Sequence, residues 1–70
     1  MHGFLEVIER ANDNYSAYSP DLPGCVATGA TRHEAEDNMH QAIEMHIQGL
    51  LEDGIPIPEP HALAEYIAVG

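Results

Sequence analysis

The chain is 70 residues long and 44% apolar, and its twelve carboxylates oppose two cations, Arg10 and Arg32, giving a formal net charge of −10 with the five histidines neutral. That length supports one domain with a small core, and such a charge disfavours direct contact with phosphate backbones while steering a basic protein partner toward the surface. Cys25 is the single cysteine, which excludes an intramolecular disulfide; without a basic leader or a long apolar run, the sequence reads as a soluble, cytoplasmic protein.

A first strand is predicted from Gly3 to Arg10. Leu5 and Val7 share one face and Phe4, Glu6 and Ile8 the other, a two-sided apolar pattern that suits a central strand. Ala11-Asn12-Asp13-Asn14 is rich in turn formers, so Tyr15-Ser16-Ala17-Tyr18 returns as its hairpin partner. In Ser19-Pro20-Asp21-Leu22-Pro23-Gly24 the two prolines each fix one φ and Gly24 permits a positive one, which predicts a rigid reversal. A third strand runs from Cys25 to Ala30, with Gly29 marking a bulge or close packing under a helix. Thr31-x-x-Glu34 is a capping-box sequence, and helical spacing holds from Arg32 to about Asp53. Ala35, Met39, Ala42, Ile43, His46, Ile47, Leu50 and Leu51 form the apolar stripe. Gly54 and Pro56 end the helix, 55–60 is an extended crossover, and Leu63 to Val69 is predicted as a short last strand. The order βββαβ makes an α+β fold of one four-stranded sheet and one long helix. A right-handed crossover places the last strand parallel to the first, in spatial order 3-2-1-4.

In this order and spacing, the Asp21-Leu22-Pro23-Gly24 turn, Ala35-Glu36-Asp37-Asn38 with Ala42-Ile43 in the helix, and the Asp53-Gly54-Ile55-Pro56-Ile57-Pro58 exit resemble the HicB-like antitoxins of type II toxin–antitoxin pairs. The resemblance covers nearly the whole chain and implies a reduced ribonuclease H-like fold, although a shared fold transfers no nuclease activity. It also implies binding and occlusion of a small basic HicA-type ribonuclease toxin that cleaves messenger RNA. His61 departs from the small hydroxyl residue expected after the Pro-x-Pro exit. Many members carry a DNA-binding domain after this one; the chain reads as the single HicB-like domain, 1–70, without such a module, so direct nucleic-acid binding is not expected.

No catalytic, cofactor or metal residues are assigned. His33, Asp37 and His40, with Glu36 and Glu44 nearby, are metal-capable types on one helix face, but no tight ligand motif such as His-Glu-x-x-His occurs, and a solvated acidic face accounts for them. Cys25 reads as a small buried hydrophobe. A metal-dependent hydrolase built from Glu6, Asp13 and Asp21 ranks below binding, because the strands carry few carboxylates to converge. A stand-alone oligomeric accessory protein without a toxin is the alternative from another class. A core this small favours self-association, as a dimer or tetramer. The partner-binding candidates, chosen for exposure and charge, are Tyr18, Asp21, Leu22 and Pro23 on the turn and Glu34, Asp37 and Glu44 on the helix.

Overall fold

In the computed structural model, which describes residues 3–70, the elements follow as β1 (Val7–Arg10), β2 (Tyr15–Tyr18), β3 (Val26–Gly29) and α1 (Arg32–Glu52). The fold is α+β: a three-stranded antiparallel sheet in the order β1-β2-β3 with one long helix lying across it, most closely over β3. The β1–β2 hairpin pairs Val7 with Tyr18 through to Arg10 with Tyr15, and the Ala11 N–H closes its loop by donating to the Asn14 carbonyl at 2.8 Å.

Two successive turns join β2 to β3. Leu22 N–H donates to the Ser19 carbonyl at 3.1 Å with Pro20 second in the turn, and Cys25 N–H donates to the Leu22 carbonyl at 3.0 Å with Pro23 second and Gly24 third. The Gly24 φ of 83° is the left-handed value that a type II turn requires at its third position. Both prolines enter with φ already restricted, so the reversal loses little further entropy on folding.

The helix starts where expected. Thr31 is its extended N-cap, with Oγ1 accepting from Glu34 N–H at 3.1 Å. The reciprocal bond of the capping box, from Thr31 N–H to the Glu34 carboxylate, is not made among the described residues. Gly29 proves to be a place of close packing: a Cβ there would lie 2.8 Å from the Glu34 carbonyl carbon and 2.9 Å from Ala35 Cα. At the other end Ile55 N–H reaches the Leu50 carbonyl at 2.8 Å and Gly54 N–H the Leu51 carbonyl at 3.2 Å, with Gly54 at φ 68°. These are the paired bonds of a Schellman ending.

Ala17, Leu22, Cys25 and Met39 form the buried centre, and Phe4, Ile8, Ala27, Ala42, Ile43 and Ile47 pack around it. Two expectations change here. The first strand begins only at Val7, because β2 stops at Tyr18 and offers nothing opposite residues 3–6, and β1 lies at the sheet edge instead of its middle. Residues 63–69 form no strand. The expected order 3-2-1-4 is therefore present as 3-2-1, since a strand exists only against a partner edge and this segment meets none among the described residues.

Candidate functional site

The double turn and the outer face of α1 carry the candidate residues, but not all in the same way. Tyr18, at the end of β2, is 39% exposed, and Pro23 is exposed on the second turn. Leu22 is fully buried at 0% exposure, which overturns the exposure on which it was chosen. The two prolines turn its side chain under the reversal and onto the core. Asp21 is half-buried and already engaged: Oδ1 accepts from His61 N–H at 3.1 Å, and both carboxylate oxygens accept from Ala62 N–H, at 3.2 and 3.1 Å. Its charge thus fastens the chain beyond the helix to the turn.

Glu34, Asp37 and Glu44 are exposed on α1, and their spacing of three and then seven residues sets them along one side of the helix over about 15 Å. Asp37 Oδ2 lies 3.3 Å from His33 Nε2, whereas Glu34 and Glu44 have no ion pair among the described residues. Arg32 Nε donates to Glu36 Oε1 at 3.0 Å. Asn38 donates through Nδ2 to the Thr28 carbonyl at 2.8 Å, a side-chain tie from helix to sheet. His40 Nε2 stands 3.6 Å from Glu6 Oε2, while the other oxygen, Glu6 Oε1, is buried with no hydrogen-bond partner among the described residues.

Among the described residues no group of three or more His, Cys, Asp or Glu side chains comes together to hold a metal ion. His33, His40 and their neighbouring acids remain as separate pairs. Burial pushes the Cys25 thiol upward from its ordinary pKa, which keeps it protonated and poorly nucleophilic. No helix among the described residues is long and apolar enough to cross a membrane.

Two features had no clear signal in the sequence. One is the Asp21 fastening, because nothing local pairs a carboxylate with amides forty positions away. The other is an open groove of about 670 Å³ between the N-terminal segment and the second half of α1, floored by Phe4, Ile43, Ile47 and Leu51 and edged by Glu44 and Glu52. The helical stripe foretold Ile43, Ile47 and Leu51, and the first-strand pattern Phe4, without showing that they border an open groove in which Leu51 stays exposed.

The profile of the HicB-like antitoxins of bacterial toxin–antitoxin systems matches residues 4–69. The chain belongs to that family. A UPF0150 protein of Synechocystis is 29% identical over 70 residues, covering 99% of this chain and 89% of its own length. An uncharacterised 14.9 kDa protein from the rep-hol intergenic region of Haemophilus phage HP1 is 43% identical over 60 residues, covering 86% of this chain but 45% of the phage protein. Among solved structures, a chain of a HicA3 and HicB3 toxin–antitoxin complex superposes with a TM-score of 0.64 and 32% identity, over 76% of this chain and 62% of that one. This chain thus spans less than two thirds of the phage relative and of the HicA3–HicB3 chain, while matching most of the Synechocystis protein.

Proposed function

We propose that this HicB-like chain binds a small basic ribonuclease toxin of the HicA type and blocks messenger RNA from reaching its active surface. The observation that carries this reading is the likeness, in both sequence and fold, to a chain of a HicA3–HicB3 complex. The charge supports it. Most of the twelve carboxylates are exposed, and a formal charge of −10 accelerates encounter with a cationic partner and repels its RNA substrate. The contact surface is Tyr18 and Pro23 on the turn with Glu34, Asp37 and Glu44 along the helix; Asp21 holds the turn's surroundings in place and Leu22 supports it from within. The role is non-enzymatic and requires no cofactor. The chain itself is expected to leave DNA unshifted at physiological salt, since Arg10 and Arg32 are its only fixed cations.

Co-expression with a HicA-type toxin, taken from any short basic protein encoded beside this chain, tests the proposal. The expected result is rescued growth and a co-purifying complex that weakens as salt rises, with Glu34→Lys plus Glu44→Lys reducing rescue while circular dichroism remains unchanged. Failure of the neighbour both to be rescued and to co-purify would refute it.

A further inference from the structure

The sheet has an unpaired edge at β1, and the chain has an unpaired strand-like segment at residues 63–69. Leu63, Tyr66, Ile67 and Val69 in that segment are 82%, 106%, 81% and 91% exposed, although at strand spacing Leu63, Ile67 and Val69 share one face, with Glu65 between them, and Tyr66 lies on the other. The groove floored by Phe4, Ile43, Ile47 and Leu51 opens beside the residues that lead into β1 and offers apolar surface for such a face. Donor strand and acceptor edge are thus both present in one chain, and are not joined within it.

The direction of the segment explains why. Asp21 clasps the His61 and Ala62 amides at the turn between β2 and β3, and from there the chain leaves the body. The molecule is 47 Å long with a radius of gyration of 13.6 Å, whereas a compact domain of this length has about 11 Å and a 21-residue helix accounts for only about 31 Å. A bare edge strand and four exposed large apolar side chains are costly to leave in water.

We propose that two copies of this chain exchange residues 63–69, each segment pairing with the β1 edge of the other copy and laying Leu63, Ile67 and Val69 toward the other copy's groove. The contact is isologous, so one two-fold operation satisfies both edges and leaves no open end for further growth. At about 100 Å² each, Leu63, Ile67 and Val69 remove about 300 Å² per tail and about 600 Å² for the pair, and the surface they cover about doubles that, which reaches the lower end of stable interfaces. Two copies of like charge repel, so added salt strengthens this dimer, the opposite of its effect on a complex with a basic toxin. The exchange is independent of toxin binding.

Sedimentation of the 70-residue chain at micromolar concentration, at low and high salt, is combined with isotope-filtered nuclear Overhauser measurements on a mixture of labelled and unlabelled protein. A dimer favoured by salt, with intermolecular contacts from the Leu63 and Ile67 methyls to Phe4 and Ile47, is the expected result. Ile67→Asp, which replaces an apolar anchor by a second carboxylate beside Glu65 against a groove edged by Glu44 and Glu52, should shift the population to monomer. A monomer whose tail contacts are intramolecular would overturn the proposal in favour of a folded-back fourth strand. A monomer with unprotected tail amides, or a dimer without tail contacts, would overturn it equally. The wild-type contacts decide the matter whether or not the variant folds.

Discussion

Replacing Gly29 by alanine sets two opposed effects against each other, and the geometry decides between them. Gly29 does not have a positive φ, so alanine suits its backbone, and restricting the unfolded chain would by itself stabilise by about 0.4–1 kcal/mol. The new Cβ, however, would meet the Ala35 backbone nitrogen first and stand 2.8 Å from the Glu34 carbonyl carbon and 2.9 Å from Ala35 Cα, where optimal carbon contacts are about 3.5–4.0 Å. Those atoms are helix backbone and have no rotamer into which to retreat, so the start of α1 must withdraw by about 0.7–1 Å. Overpacking of this kind costs about 1–3 kcal/mol, and because the clash is with backbone the upper part of that range applies, leaving a net loss of up to about 2.5 kcal/mol. A domain of this length has only about 3.5–10 kcal/mol of stability in total, so the loss is a large fraction. Urea unfolding followed by circular dichroism measures it as a lower midpoint at an unchanged slope. Gly49→Ala is the matched control: no atom lies within 4 Å of its added Cβ, and helix propensity predicts a gain of about 0.5–1 kcal/mol. Equal shifts of the same sign for the two variants would refute the claim that contact with the helix start requires glycine at 29.

Thr31→Ala removes the acceptor for Glu34 N–H and should cost about 1 kcal/mol in the same unfolding assay. Asp21→Ala releases the amides of His61 and Ala62; hydrogen exchange there should accelerate while the amides of β2 remain protected, with a stability loss of about 1 kcal/mol for this half-buried tie. Cys25 gives a pH dependence of definite sign. Its folded-state pKa is raised by desolvation, so the folded chain keeps the thiol proton that the unfolded chain releases above about pH 8.5. Stability should hold below that pH and decline as pH climbs toward the folded pKa. Cys25→Ala should abolish that decline, and its persistence in the variant would assign it to another group.

The sequence was most legible where structure is determined locally. Thr31, Gly54, Pro23 and Gly24 each act within a few residues, and the helix and the double turn lie where their chemistry predicts. The stripe from Ala35 to Ile47 likewise identified the face that covers the sheet. Periodicity failed at the two ends, because strand pairing is a property of two segments. Phe4-Leu5-Glu6 has the pattern of a strand but no residue of β2 opposite it, and 63–69 has the pattern but no edge to pair with among the described residues. Leu22 was misjudged for a related reason: membership of an exposed turn does not tell which of its side chains points inward. Asp21 and its two amides are separated by about forty residues, and their union follows from where the crossover ends.

The clasp at Asp21 reads only main chain. Because a carboxylate accepting from two backbone N–H groups is indifferent to the side chains that follow, positions 61 and 62 can hold any residue except proline without loosening it. The anchor and the apolar arm beyond it are thus under separate constraints: selection can rewrite the arm, and with it the choice of companion, while the point from which it departs remains fixed.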